Sequence, residues 1–311
     1  MIVQQRETVA APDVADVAAE ADAFVAALAQ VAPRLGDVAA NLERHLEIIA
    51  QAAGAGANIV VFPELSLTGY FLKDLVPDVA LRIDSDEISR LAEACRDIDA
   101  VIGCVLETDD TRFHNASVYL SGGRVARVHA KVYLPTYGIF DEQRYLAAGD
   151  RFRAFDLTTP GANSRWRAGM LVCEDMWHPS AVSLLARQGV DVFLVPSASP
   201  GRGVLRGAAL GTAHSYDAMT RTYAQLFTAY VVYCNRVGYE DGIAFWGGSR
   251  VVGPDGATVI EPAGADETIV YQRLEKTALR RARIAYPLLR DERHDVTDAE
   301  TERILRRRTR D

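Results

Sequence analysis

Cys173 stands at the end of a short apolar run, Ala168, Met170, Leu171 and Val172, within the stretch GMLVCEDMWHP from Gly169 to Pro179. The run reads as a buried strand and Pro179 to Val190 as a helix, so the sulfur sits at a strand-to-helix corner. Such corners lie at the carboxyl end of a sheet, where open α/β architectures place their ligands, and a nearby helix start favours a thiolate. Two more reactive side chains follow apolar strands in the same way. Glu64 falls two residues beyond Phe62 in VVFPELSLTGY, and Lys131 closes the strand Arg124 to Ala130 in VHAKVYL. Each has an ordinary reading alone: Glu64 as the cap of the next turn, Lys131 as a surface cation, Cys173 as a packing residue. Converging from three strand ends, they suit one reaction. A free thiol of pKa about 8.5 is only a few per cent thiolate at neutral pH and needs a base. A carboxylate in an apolar pocket has a raised pKa, so Glu64 can take the thiol proton and return it to a leaving amine. The Lys131 ammonium and a backbone N–H beside Cys173 would then stabilise the oxyanion. This scheme asks for no metal and no organic cofactor.

Other chemistries lack their residues. There is no GxSxG elbow, no P-loop, no GxGxxG after a strand, and the six histidines form no metal-ligand spacing. His178 is near enough in sequence to suggest a Cys-His pair, but its place before Pro179 predicts a capping or surface role. The SGG of Ser121 to Gly123 reads as a hairpin turn, because Val125 and Val128 continue it as a strand.

The elements needed to position these groups are legible. Phe24 to Val31 reads as a strand, and Asp37 caps a helix whose apolar positions Val38, Leu42, Leu46 and Ile49 recur at helical spacing. Ile59 to Phe62 is a β-branched strand stopped by Pro63. A helix over Asp86 to Asp97 precedes strands at Ala100 to Leu106, Ala116 to Leu120 and Arg124 to His129. Leu134 to Asp150 is long and aperiodic, which in compact domains marks function. Beyond the cysteine corner come strands at Val192 to Pro196 and Tyr230 to Val237 around a helix over Gly211 to Thr228. Strands at Ser249 to Val252, Thr258 to Ile260 and Thr268 to Leu274 close a mixed α/β architecture of layers. The organisation expected is an extension over residues 1–22, a single domain over 23–287, and a charged arm over 288–311. The remaining cysteines, Cys95, Cys104 and Cys234, fall on core elements.

Composition bounds the partners. The chain has 311 residues and a net charge of -8, so it offers no basic field for nucleic acid or acidic membranes, and a small neutral or cationic ligand fits better. Four scattered cysteines without CxxC spacing point to a reducing cytoplasm, and the amino terminus lacks the pattern of a secretory signal. The expectation is a soluble, cytoplasmic protein with no membrane partner.

FPELSLTGY, HAKVYLPTYGIFDEQRY and LVCEDMWHP, in that order and spacing, resemble the nitrilase or carbon-nitrogen hydrolase superfamily over roughly Phe24 to Pro287. The likeness is strongest to the glutamine-hydrolysing domain of glutamine-dependent NAD synthetases. It implies a four-layer αββα sandwich with an internal two-fold similarity, assembled as a homodimer or higher homo-oligomer. It also implies Glu64 as general base, Lys131 as oxyanion-stabilising lysine, Cys173 as acylated nucleophile, and Glu142 as the second glutamate that orients the lysine and substrate. A salt bridge from Glu142 to Lys131 or Arg144 is the plainer reading of that residue. Tyr70, Tyr137, Glu174 and Trp177 match positions lining the glutamine pocket, with packing as the alternative for Tyr137 and Trp177. Ser199 and Arg206, in SASPGRGVLR, match the segment that meets the substrate's amino-acid end, although their spacing departs from the usual pattern. No ATP-pyrophosphatase domain with an SGGxDS loop follows, which implies that ammonia would pass to solvent or to a separate protein. The expected activity is cleavage of a linear carboxamide to a carboxylate and ammonia through a cysteine thioester. A free-standing glutaminase subunit, a nitrilase and a non-catalytic binding protein are the alternatives.

Overall fold

Alternation along the first strand sets up the layering of the chain, whose computed structural model describes residues 23–158, 165–202, 211–260 and 263–308. In β1 (Ala23–Gln30), Val25, Ala27 and Ala29 pack with Leu42, Ile48, Ile49 and Ala52 of helix α1 (Val38–Gly54). Phe24, Ala26 and Leu28 pack instead with Trp166, Met170, Val192 and Leu194. Successive strand side chains point to opposite faces, so a strand buried on both must be covered on both sides. Asp37 caps α1 by accepting from the Ala40 amide at 3.0 Å. The chain continues through β2 (Ile59–Val61), α2 (Asp86–Ala94), β3 (Asp99–Glu107), β4 (Phe113–Ser121) and β5 (Arg124–Ala130). Gly122 and Gly123, at φ +58° and +75°, make the tight β4–β5 turn.

The second half repeats the plan. It runs β6 (Phe155–Leu157), β7 (Trp166–Met170), α3 (Pro179–Ala186), β8 (Val192–Ser197), α4 (Gly211–Leu226), β9 (Tyr230–Asn235), β10 (Val237–Glu240), β11 (Ile243–Trp246), β12 (Arg250–Val252) and β13 (Thr258–Ile260). β14 (Thr268–Glu275), α5 (Lys276–Ala285) and α6 (His294–Arg308) follow. One six-stranded sheet has the order β14-β1-β2-β3-β4-β5 and the other β6-β7-β8-β9-β12-β13. Across each, neighbours pair antiparallel, parallel, parallel, antiparallel, antiparallel. The two sheets are thus built to one pattern. Their inner faces share the core around Phe24, Val61, Tyr119, Trp166, Leu194 and Val232. The outer face of the first is covered by α1 and α2, and that of the second by Val182 and Leu185 of α3 and Tyr216, Tyr223 and Ala224 of α4. This is an αββα sandwich, as expected.

One strand differs from the sequence reading, and two segments are made more definite. The strand expected to run from Tyr230 to Val237 breaks after Asn235, and the chain turns into a separate two-stranded β10–β11 hairpin. The break lies at Arg236, which is buried with its guanidinium paired to Glu240 and 4.1 Å over the Phe245 ring, both residues of the hairpin. The aperiodic segment Leu134 to Asp150 contains one helical turn, Glu142–Tyr145. The charged arm is helical through α6, tied to α3 by Arg187 and Asp298 at 2.7 Å. The expected extension over residues 1–22 lies outside the described residues.

The first helix carries a pH-sensitive contact. His45 is buried, stacked on Phe62 with centroids 4.0 Å apart, and bonded to the Asn41 carbonyl and the Ser66 hydroxyl. Burial lowers its pKa to about 4. Because the folded pKa lies below that of the unfolded chain, the stability tied to neutral His45 is complete above pH about 6.5 and is lost as pH falls toward 4. In urea titrations at pH 7 and 4.5, the native chain should lose roughly 2–3 kcal/mol more than a His45→Gln variant. Equal losses would contradict it.

Candidate active site

Pro63 ends the chain's course along β2, because proline cannot donate to a ladder. Glu64 is therefore presented at the strand's carboxyl end, followed by Leu65 at φ +49°. Gly103 on the adjacent β3 makes room for this turn: a Cβ there would sit 2.4 Å from the Leu65 amide nitrogen and 2.5 Å from the Pro63 oxygen. The buried Glu64 carboxylate is fully engaged. Oε1 accepts from Asn115 Nδ2 and Lys131 Nζ, each at 2.7 Å, and Oε2 accepts from the Ala198 amide at 2.8 Å. Asn115 belongs to the first sheet, and Ala198 follows β8 of the second.

Lys131 begins where β5 ends, its amide bonded to the Asn115 carbonyl at 2.8 Å. Its ammonium lies between two carboxylates, 2.7 Å from Glu64 Oε1 and 2.7 Å from Glu142 Oε1. Burial alone would lower its pKa, but Glu142 and Glu64 reverse that and hold it well above the usual lysine range. Glu142 opens the single helical turn and also accepts from the Tyr70 hydroxyl at 2.5 Å. Burial pushes its carboxyl up to about 7, against the pull of Lys131 and with Glu64 adding to the rise. Glu142 Oε2 is buried and has no partner among the described residues. A cavity of about 120 Å³ lined by Leu65, Tyr70, Phe71, Phe140 and Glu142, among others, adjoins this contact.

Cys173 opens a short 3₁₀ turn, Cys173–Trp177, at φ +46°, a left-handed conformation that costs a non-glycine residue on the order of 1–3 kcal/mol. Asp175, two residues on, holds the corner in place. Its Oδ1 accepts from the Val132 and Tyr133 amides, both at 3.0 Å. Its Oδ2 accepts from the Val172 amide at 3.0 Å and from His129 Nε2 at 2.9 Å. One buried carboxylate therefore locks the segment just after Lys131 to the segment around Cys173. Asparagine has only one acceptor oxygen there and would leave buried donors unmatched, at about 1–3 kcal/mol each. Asp175→Asn should lower the melting temperature and reduce turnover together; turnover lost without any change in melting would refute the positioning account. The Cys173 thiol is pushed well above the usual range, first by burial and then by Glu64, with Lys131 opposing.

The remaining expected residues take varied places. Tyr137, about half exposed, donates to both oxygens of Glu174 at 3.0 and 2.9 Å. Burial raises the Glu174 carboxyl above its ordinary value. Tyr70 spends its hydroxyl on Glu142. Trp177 donates its indole N–H to the Tyr216 hydroxyl at 3.2 Å. Ser199 is buried, its hydroxyl 3.3 Å from Trp246 Nε1. Arg206 lies outside the described residues. His178 stands at the N-cap position of α3, where its carbonyl accepts from the Ala181 amide at 3.0 Å, but its ring makes no capping bond and stacks on Tyr133 with centroids 3.5 Å apart. The ion pair of Glu142 is with Lys131; Arg144 lies 4.0 Å from Asp141.

Sequence reasoning missed Asn115, Asp175, His129 and Tyr216. Asn115 lies just ahead of the expected strand Ala116 to Leu120, beside His114 in a polar start to β4, and Tyr216 belongs to the helical stripe Tyr216, Thr220, Tyr223 and Ala224, a core pattern. Asp175 was visible in CEDMW, but nothing there distinguishes its carboxylate from that of Glu174. No group of three or more His, Cys, Asp or Glu among the described residues is arranged to hold a metal ion. No helix among them is long and apolar enough to cross a membrane.

Comparison with known proteins places these residues in context. A family model described as carbon-nitrogen hydrolase matches residues 25–284. The chain is 30% identical over 253 residues to the glutamine-dependent NAD(+) synthetase of Acinetobacter baylyi, covering 81% of this chain and 44% of that protein. It thus spans less than half the length of that relative. It is 32% identical over 281 residues to an (R)-stereoselective amidase of Pseudomonas sp, covering 88% of this chain and 93% of the amidase. Among solved structures, a mutant of the amidase from Nesterenkonia sp. AN1 aligns with a TM-score of 0.72 at 25% identity, over 89% of this chain and 96% of that one. That amidase carries the acetamide moiety of fluoroacetamide added covalently at its active-site cysteine.

Proposed function

Since the chain belongs to the carbon-nitrogen hydrolase family, we propose that it cleaves a linear carboxamide to a carboxylate and ammonia through a thioester on Cys173. The enzyme class is a carbon-nitrogen hydrolase. The observation that carries the finer reading is the Lys131 ammonium held between Glu64 and Glu142, with all three acting electrostatically on the Cys173 thiol.

In the proposed cycle Glu64 removes the thiol proton as the sulfur attacks the amide carbon. A C–S bond forms, and the carbonyl π pair moves onto oxygen, where Lys131 stabilises the developing charge. The intermediate collapses, the proton held by Glu64 passes to nitrogen, the C–N bond breaks and ammonia leaves. Water then attacks the thioester, giving its proton to Glu64; the C–S bond breaks with its pair returning to sulfur, and the proton goes back to Cys173. The high resting pKa of the thiol suits this scheme, because a protonated sulfur gains from a base only at the moment of attack. Glu142 acts through Lys131 and offers its unpartnered Oε2 to the substrate amide N–H.

Glu174 supports an ammonium-bearing, glutamine-like acyl group. It is the carboxylate next to the nucleophile in sequence, with the Tyr137 phenol donating to both of its oxygens and His178 Nε2 4.0 Å from Oε1. Resemblance to NAD synthetases favours a free-standing glutaminase passing ammonia to another chain as the second reading; full-length similarity to an amidase favours direct use of an amide and stands against a nitrile. A panel of glutamine, asparagine, aliphatic amides, nitriles and N-carbamoyl compounds, read by ammonia release, tests the assignment. With glutamine, Glu174→Gln should raise KM about tenfold or more, as expected for one charge-assisted bond, and leave an aliphatic amide nearly unaffected. No turnover anywhere in the panel would leave a binding protein as the better reading.

A further inference from the structure

We propose that Tyr216 is a further catalytic residue, whose phenol donates a hydrogen bond to the Cys173 sulfur each time that sulfur becomes a thiolate. The inference rests on Cys173 being the nucleophile. Tyr216 lies on α4 and is buried, with its hydroxyl 3.2 Å from Cys173 Sγ and 3.2 Å from Trp177 Nε1. An indole N–H is a donor only. Trp177 therefore occupies one lone pair of the phenol oxygen and leaves the phenol proton free to be given elsewhere.

The sulfur contact then depends on the protonation state. While Cys173 is a thiol, either atom can donate to the other, and the bond is weak in both directions. Once Glu64 holds the proton, sulfur has nothing to donate and the phenol alone can. The contact becomes a charge-assisted bond made only in the thiolate state, which is the condition for shifting an equilibrium toward that state. Burial raises the pKa of Tyr216 well above its ordinary value, so the phenol keeps its proton while the sulfur loses its own. Burial and Glu64 push the thiol up; the Tyr216 bond and Lys131 pull it down.

The same bond serves twice in a turnover. It lowers the cost of forming the thiolate that attacks the amide. It also stabilises the sulfur as the leaving atom when the C–S bond of the second tetrahedral intermediate breaks and the electron pair returns to it. Tyr216 transfers no proton in either step. A packing role is the competing account, since the ring lies 4.7 Å from that of Tyr233 and 5.7 Å from that of Trp177. Packing asks only for an aromatic ring and makes no demand on the hydroxyl.

The test is the pH dependence of Cys173 alkylation by iodoacetamide, located by mass spectrometry, alongside amide hydrolysis. In Tyr216→Phe the alkylation midpoint should rise by about one pH unit, and hydrolysis should slow about tenfold at neutral pH. A fluorinated tyrosine introduced at position 216, a stronger donor with the same ring, should move the midpoint down. Unchanged midpoints in both proteins, with Cys173 still alkylated, overturn the proposal. If the phenylalanine variant fails to fold, the fluorinated protein decides alone, and a midpoint that stays put overturns it. Failure of the parent reading looks different: hydrolysis then survives replacement of Cys173 itself.

Discussion

Cys173→Ala is expected to abolish hydrolysis, by at least about 10⁴-fold, while the protein melts within a few degrees of the native chain. The sulfur packs at the margin of the outer core and makes a polar contact with Tyr216, whose hydroxyl keeps the Trp177 bond when the sulfur is removed. Alanine inherits the φ of +46° and its strain, so the backbone gains no relief. Glycine would gain it, and Cys173→Gly should be the more stable of the two inactive proteins by roughly 1 kcal/mol, less the flexibility glycine brings to the unfolded chain. Ammonia release and thermal melts on the same samples decide the matter. Retained turnover in a folded Cys173→Ala protein removes the thioester mechanism altogether.

Lys131→Met should be damaging in a different way. The ammonium neutralises two buried carboxylates, and its removal leaves Glu64 and Glu142 facing each other in a dry site. Breaking a buried pair from one side costs about 3–5 kcal/mol, because the remaining charge is uncompensated. The loss must depend on pH. Without Lys131 the Glu142 carboxyl rises further from a value already near 7. A folded carboxyl whose pKa exceeds its unfolded value favours the fold when protonated, so the variant should recover part of its stability as pH drops from 8 to 5. Urea midpoints at those two pH values test this. A variant as stable as the native chain at pH 8 would show that the carboxylates are solvated or protonated already. Turnover should fall by about 10²–10³-fold as well, through loss of the oxyanion's partner. Cysteine and lysine replacements therefore separate chemistry from structure: the first should remove activity alone, the second both.

The parts of this site legible in the sequence share one property. Glu64, Lys131 and Cys173 each follow an apolar run directly, and a residue just past a buried strand must emerge at the sheet's edge. The strands themselves were legible because burial on both faces removes polar residues from them. The groups that were not legible act through tertiary placement. Asn115 reaches Glu64 from near the start of β4, which required knowing that β4 and β5 pair beside β2 and β3. Tyr216 arrives from a helix on the outer layer, and its aromatic stripe carries no sign that one hydroxyl meets sulfur. The β10–β11 hairpin was hidden because the apolar run Tyr230 to Cys234 resumes at Val237 after two polar residues, Asn235 and Arg236, and the buried Arg236–Glu240 pair that accompanies the break is a tertiary contact. The 3₁₀ turn at Cys173 was hidden too, since its conformation is imposed by the four hydrogen bonds to Asp175 rather than by local propensity.

The Glu64 carboxylate reaches from the end of β2 to the Ala198 amide beyond β8, and so bridges the two halves of the sandwich. Were the sheets to part, Glu64 would lose a donor and the Lys131 cluster its alignment in the same movement. Local breathing of the sandwich and inactivation are then one event, and a folded but idle intermediate has little room to exist. For such a molecule, turnover is itself a gauge of whether the two repeats remain docked.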